Sequence, residues 1–223
     1  MSGLKKTNWL EKESLRLIII ALPFVFLGLF WPELPSRIPL HWNLQGEADG
    51  YGSKWAFLGL AGLNVLLFGL FLILPHLDPK SKNYVHFANE WHIIQVILHL
   101  FITYLFFIVG LTALGYGLPV ILTIKYGLVG LFLLVGNYLG TVRPNSFIGI
   151  KTPWTISSDY VWHKTHRFTA QVWVLSSLLL LIFDFWHQRY PWAFFVYLGL
   201  LVVAPVVYSY LLYKKQPEVN PKK

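Results

Sequence analysis

Six apolar blocks, each 17 to 22 residues long, constrain this chain more than any other feature. They run Leu15–Trp31, Trp55–Pro75, His92–Ala113, Pro119–Leu139, Thr169–Trp186 and Trp192–Tyr213. A helix of about 20 apolar residues crosses the hydrocarbon of a bilayer while satisfying its own backbone hydrogen bonds. Water offers no equivalent home for such blocks. Of the 223 residues, 56% are hydrophobic and 13% charged, against about 25% charged in soluble domains. One core cannot bury that much apolar surface. The expected fold is an all-α integral membrane protein, a six-transmembrane-helix bundle. Trp and Tyr at many block ends fit an aromatic belt. Leu114–Leu118 and His187–Pro191 read as tight connections, and Pro191 suits a first helical turn. Pro23 and Pro205 are candidate kinks in the first and last spans.

The net charge of +8 could suggest nucleic acid, but its placement explains it otherwise. Lys5, Lys6, Lys12 and Arg16 stand at the start of the first span. Lys80 and Lys82 follow the second. Arg143, Lys151, Lys164 and Arg167 follow the fourth, and Lys214, Lys215, Lys222 and Lys223 follow the sixth. Fourteen basic residues thus fall on one side. Arg37, Lys54 and Arg189 fall on the other, and Lys125 lies within a span. The positive-inside rule places both termini in the cytoplasm. No recognition motif accompanies the charge, so direct nucleic-acid binding is not expected. The first block lacks a small-residue cleavage site before Trp31-Pro-Glu-Leu-Pro35 and reads as an uncleaved anchor. No soluble domain is expected, and the tail from Lys214 reads as frayed. With no Cys, disulfides, thiolate metal sites and cysteine nucleophiles are excluded.

Two connections are too long to be simple turns. The outer one, residues 32–54, holds Pro32, Pro35 and Pro39, which fix φ. Gly46 and Gly50 stand beside the turn-formers Asn43 and Asp49. It reads as an ordered extracellular cap. It is either a rigid lid that packs on the bundle or a ligand-contact surface built from His41, Trp42, Asn43 and Asp49. The inner one, residues 140–167, contains the Arg143-Pro-Asn145 turn and the helix breakers Gly149 and Pro153. Thr155, or Ser157-Ser158 before Asp159, reads as the N-cap of a short amphipathic helix. That helix would present Tyr160, Trp162 and Phe168 to the bilayer or bundle. Lys164 and Arg167 would lie near anionic head groups.

The outer segment IPLHWNLQGEADGYGSKW and the inner segment GNYLGTVRPNSFIGIKTPWTISSDYVWHKTHRF resemble the two signatures of the SdpI-type immunity family. The outer one resembles the small N-terminal domain of unknown function that accompanies that family. The resemblance divides the chain into 1–75, two spans with the cap, and 76–223, a four-span immunity region. It implies a bacterial multi-pass plasma-membrane protein giving immunity to a secreted antimicrobial peptide. A signal relay to a cytoplasmic transcriptional regulator is a second expectation. Membrane lipids complete the expected partners, with no cofactor and no enzymatic activity. By motif match the resemblance marks Pro39, His41, Trp42, Asn43, Gly46 and Asp49 outside. Inside it marks Asn137, Asn145, Gly149, Thr152, Pro153, Trp154, Trp162, Thr165, His166 and Arg167, within a motif that also holds Arg143 and Lys151. Lys151 stands where the family usually has Arg, which removes a bidentate anion contact.

Polar residues within the spans form a second set. Asn89, His92, Gln95, His99 and Thr103 share one helix face of span three. Unpaired polar groups cost several kcal/mol in hydrocarbon, so the stripe must face other helices or a wet cavity. It reads either as inter-helix hydrogen bonding, with Asn64 as a candidate partner, or as a solute or proton path. The latter would make the chain a small transporter or intramembrane enzyme. Lys125 and Asp184 lie at similar depth and either pair or reach the interface separately. His163 and His166 lack the i, i+4 spacing and intervening Glu of a zinc helix. His166 is expected to order the inner loop by binding its backbone. No phosphate loop is expected, since no strands stand out in the sequence.

Overall fold

The computed structural model describes residues 9–186 and 192–216. Lys5, Lys6, Arg189, Lys222 and Lys223 of the charge argument, the His187–Pro191 connection and the tail beyond Gln216 lie outside the described residues. Helix α1 (Trp9–Phe30) leads to a hairpin of β1 (Arg37–Trp42) and β2 (Ala48–Ser53). Then follow α2 (Lys54–Leu77), a 3-10 turn (Ser81–Phe87), α3 (Ala88–Ala113) and α4 (Val120–Leu139). Short α5 (Pro153–Ser157), α6 (Asp159–Trp186) and α7 (Trp192–Lys214) complete the order. Among the described residues, six helices are long and apolar enough to cross a membrane. Their surfaces are those of helices solvated by hydrocarbon. On α1, Leu15, Ile18, Leu22, Val25 and Leu29 are all exposed at three- and four-residue steps. Pro23, Pro75 and Pro205 sit inside continuous helices. Six such helices are the architecture of a multi-pass membrane protein.

The chain forms two compact units from interleaved segments, residues 1–72 with 95–127 and residues 73–94 with 128–223. In the first unit, Phe26, Leu27, Phe57, Ala61, Phe106 and Val109 make the core. Phe57 and Phe106 stack at 4.1 Å between ring centroids. Gly110 is needed here, because a Cβ would come within 2.8 Å of the Phe26 ring.

The outer connection contains a β-hairpin, where a strandless chain was expected. Leu34 and the fully buried Ile38 belong to the helical core, and Trp42 packs against it. The register pairs Arg37 with Ser53, Ile38 with Gly52 and Pro39 with Tyr51, then shifts to His41 with Gly50 and Trp42 with Ala48. The irregularity lies around Leu40 and His41, where alternation breaks. The Lys54 amide donates to the Ser36 carbonyl at 3.1 Å and closes the base.

In the second unit, α6 and α7 pack as an antiparallel pair. Val129, Leu180, Tyr197 and Leu201 form its core, with Phe132 and Trp173 against it. Trp173 Nε1 donates to the Leu201 carbonyl at 3.0 Å, and the Ser177 and Tyr197 hydroxyls are 3.0 Å apart. The inner connection corrects one expectation. There is no separate amphipathic helix before the fifth span. Helix α6 starts at Asp159 and continues unbroken for 28 residues, because no Gly or Pro interrupts it. Only five residues, α5, stand apart from it.

Candidate functional site

The hairpin tip is organised by Asn43. Its Oδ1 accepts from the amides of Gln45 and Glu47, each at 3.0 Å, and its Nδ2 donates to Glu47 Oε2 at 3.1 Å. The Gly46 amide closes on the Asn43 carbonyl at 2.9 Å, with φ of 83° that glycine adopts without strain. A Cβ added at Gly46 would lie 3.7 Å from Ile121, so the tip rests against the start of α4. His41 Nδ1 and Asp49 Oδ1 are 2.5 Å apart on the exposed face. The six outer residues therefore divide. Pro39, Asn43 and Gly46 shape the hairpin and Trp42 anchors it to the core. His41 and Asp49 are exposed, as are Leu40, Leu44 and Tyr51 of the same hairpin.

Within the first unit, α1, α2 and α3 exchange polar contacts. Asn64 Nδ2 donates to Thr103 Oγ1 at 2.8 Å and approaches the His99 carbonyl at 3.4 Å. Asn64 Oδ1 lies 2.8 Å from His99 Nδ1, which assigns the proton to Nδ1. Thr103 Oγ1 donates onward to the Ile19 carbonyl at 3.2 Å. All three residues are buried, as is Gln95, and His92 is half-buried. The sequence reading used Arg16 only as an orientation charge. It is 2% exposed, pairs with Glu13 one turn away and lies over the Phe68 ring at 4.9 Å. Arg16 Nε and Nη1 and His99 Nε2 have no hydrogen-bond partner among the described residues. Lys125 Nζ lies 5.7 Å from the Tyr126 ring centroid, and Asp184 is buried on α6.

The inner motif is the most built part of the molecule, and it lies in the second unit. Asn145 Oδ1 accepts from the amides of Phe147 and Ile148, at 2.9 and 2.8 Å. Its Nδ2 donates to the Arg143 and Ile148 carbonyls, at 2.9 and 3.1 Å. One buried carboxamide thus fixes the whole turn. Thr152 caps α5 in a reciprocal box with Thr155, and Pro153 occupies the first turn. This is the capping chemistry that Thr-Pro favours. Thr152 Oγ1 also lies 3.1 Å from Ser209 Oγ of α7, and Trp154 packs on Tyr210 at 5.1 Å.

Trp162 and His166, one turn apart on α6, stack at 4.1 Å and 19°. Both are buried. Trp162 Nε1 donates to the Val142 carbonyl at 2.9 Å. The Ile150 amide donates to His166 Nε2 at 3.0 Å, so Nδ1 carries the proton and donates to the Trp162 carbonyl at 2.8 Å. Both ring nitrogens hold backbone. Gly149, at φ 119°, lies over this pair, and a Cβ there would strike His166 Nε2. Thr165 is buried, with no hydrogen-bond partner for its hydroxyl among the described residues. Lys151 Nζ caps the Ser146 and Phe147 carbonyls, at 3.0 and 3.2 Å, and Asn137 bonds the Leu133 carbonyl within α4 at 2.7 Å. Arg143 and Arg167 are exposed.

The residue that sequence reasoning missed here is Asp78. Its Oδ1 accepts from the Lys80 amide at 2.8 Å and the Ser146 hydroxyl at 2.9 Å. Its Oδ2 accepts from the Ser146 amide at 2.8 Å and the Tyr84 hydroxyl at 2.9 Å. Burial pushes this carboxyl up, but the four hydrogen bonds outweigh it and hold the pKa below the usual carboxylate range. Asn83 Nδ2 adds a bond to the Pro144 carbonyl at 2.6 Å. The signal in the sequence was the Asp78-Pro79 step at a helix end, a turn-former before a helix breaker.

Comparison with known proteins converges on these same segments. Residues 141–209 match the SdpI/YfhL protein family, a range that runs from the inner motif to the Ser209 that bonds Thr152. Residues 18–65 match a domain of unknown function, DUF1648, which spans the hairpin and Asn64. Immunity protein SdpI of Bacillus subtilis (strain 168) is 27% identical over 217 residues, covering 92% of this chain and 98% of that protein. No solved structure matches. Both signatures thus fall in one chain, which is similar to the SdpI/YfhL protein family through its inner motif and to an immunity protein over nearly its full length.

Proposed function

We propose that this chain is a membrane immunity protein that protects its cell against a secreted antimicrobial peptide. The observation that carries the reading is the similarity to an immunity protein across 92% of the chain. In this reading both termini are cytoplasmic, as the basic residues direct. The hairpin faces outward and the Asn145–His166 motif faces the cytoplasm. The exposed His41–Asp49 pair and the exposed Leu40, Leu44 and Tyr51 of the same hairpin offer polar and apolar groups suited to an amphipathic peptide arriving from outside. The inner motif, clamped to Asp78 and α7, supports a relay of the occupied state to a cytoplasmic regulator. The hydrogen bonds among Asn64, His99 and Thr103 support inter-helix bonding over a transport path for the polar stripe.

The test is survival of a peptide-sensitive bacterial strain expressing this chain. Expression should raise the lethal peptide concentration at least tenfold. His41→Ala with Asp49→Ala should abolish that protection without changing the amount of protein in the membrane. Unchanged survival on expression of the intact chain would overturn the immunity reading. Full protection by the double variant would move the peptide surface away from the hairpin.

A further inference from the structure

A basic trio, Arg143, His163 and Arg167, stands beside the inner motif, and its side chains take no part in holding it together. Trp162 Nε1 binds the Val142 carbonyl at 2.9 Å, which seats Arg143 next to His163. A Cβ at Gly140 would lie 3.7 Å from Arg167 Cα and 3.8 Å from its Cγ. The end of α4 therefore rests on α6 at Arg167. His163 and Arg167 are one helical turn apart on α6 and share a face. Arg143 and Arg167 both act electrostatically on His163, and Asp159 acts with the opposite sign. The neighbouring cations are occupied. Lys151 caps two carbonyls, Lys80 pairs with Asp159 at 3.5 Å, and Lys164 lies over the Tyr160 ring at 5.9 Å. Neither Arg143 nor Arg167 has an ion-pair or side-chain hydrogen-bond partner among the described residues. Two exposed guanidinium groups that both act on one imidazole give an anion a shared site.

The depth of the trio identifies that anion. Helix α6 has 28 residues, or about 42 Å at 1.5 Å per residue, against about 30 Å of hydrocarbon. About two turns must project. The projecting end is the N-terminal one, which carries Asp159, His163, Lys164 and Arg167, while the opposite half is Leu-rich. Arg167 then stands where the hydrocarbon ends and lipid phosphates begin. A guanidinium fork matches phosphate oxygens two at a time, which an ammonium cannot do.

We propose that Arg143, His163 and Arg167 bind the phosphodiester of an anionic membrane phospholipid, whose acyl chains lie along the apolar surface beyond the trio. The proposal needs only that α4 and α6 cross a membrane. It stands or falls separately from the immunity reading.

The full chain in neutral detergent, stripped of lipid, should retain phosphatidylglycerol at least tenfold better than phosphatidylcholine by native mass spectrometry. Phosphatidylglycerol, but not phosphatidylcholine, should raise its melting temperature. Arg143→Gln with Arg167→Gln should bring retention down to the phosphatidylcholine level while melting normally in detergent alone. Lys214→Gln with Lys215→Gln, an equal loss of charge elsewhere, should leave retention unchanged. If the Gln pair fails to fold, Arg143→Lys with Arg167→Lys keeps the charge, removes the fork and should show intermediate retention. Equal retention by the trio and control variants overturns the site. Inorganic phosphate that displaces the lipid and itself raises the melting temperature equally would make it an aqueous phosphate site. Unchanged lipid retention with lost binding of polyglutamate would assign the trio to an acidic protein surface instead. Either result overturns the lipid assignment.

Discussion

Asp78 shows how one short side chain can join two distant stretches of sequence. It receives four hydrogen bonds, two of them from Ser146, 68 positions away. Hydrogen bonds to a charged group contribute about 1.5–3 kcal/mol, so Asp78→Asn should destabilise the second unit by about that amount. Because the folded-state pKa is lowered, its stabilisation is fully present above the unfolded value of about 3.9 and is lost as pH falls through the lower folded value. Thermal melts in detergent from pH 7 to pH 3 should show the wild type losing stability only below about pH 4, while the Asn variant lacks that acid limb. Gly149 makes a second prediction of this kind. Its positive φ and the His166 ring above it leave no room for a methyl group. Gly149→Ala should cost about 1–3 kcal/mol and speed hydrogen exchange at the Ile150 amide.

Among the elements, the hairpin separates residues that build from residues that display. Trp42 packs on the core and Ile38 is fully buried, while His41 and Asp49 are exposed. Trp42→Ala should cost about 3 kcal/mol, and His41→Ala under about 1 kcal/mol. Hydrogen exchange in detergent should find slow amides at the paired positions between Ile38 and Tyr51. Fast exchange throughout that stretch would mean an unformed hairpin. Helices α1 to α3 offer a second test, because Asn64 bonds both His99 and Thr103. Asn64→Leu and His99→Leu should each cost about 0.6–2 kcal/mol, the range for such bonds between membrane helices. The double variant should cost less than their sum.

At the scale of the whole molecule, the proposed orientation makes one decisive prediction. The chain contains no Cys, so single introduced thiols are unambiguous reporters. Ser53 and Ser157 are both exposed. Cysteine at position 53 should react with an impermeant thiol reagent on intact cells, and cysteine at position 157 only after lysis. The reverse pattern would place the hairpin in the cytoplasm and exclude it as a surface for an external peptide.

The six spans were legible in one dimension because bilayer thickness sets the length of an apolar helix and hydrocarbon forces its hydrogen bonds inward. The local devices were legible too. Asn43 and Gly46 announce a turn, and Thr152-Pro153 announces a cap, because each acts within four residues of itself. The start of α6 after Ser158 was legible as a cap, but its continuity into the fifth span was not, since polarity marks where the membrane ends and not where a helix ends. Asn64 was legible as a partner of the span-three stripe, because a polar group in hydrocarbon needs one; what remained hidden was which groups meet in the other contacts between distant segments. Asp78 with Ser146, Ile150 with His166 and Trp162 with Val142 depend on where three or more segments meet. So does the division of His41 from Trp42, adjacent residues of which one faces out and the other packs inward. Hydropathy and spacing describe a residue and its near neighbours. Only packing decides which distant group satisfies a buried donor, and which cations, such as Arg143 and Arg167, are left without one.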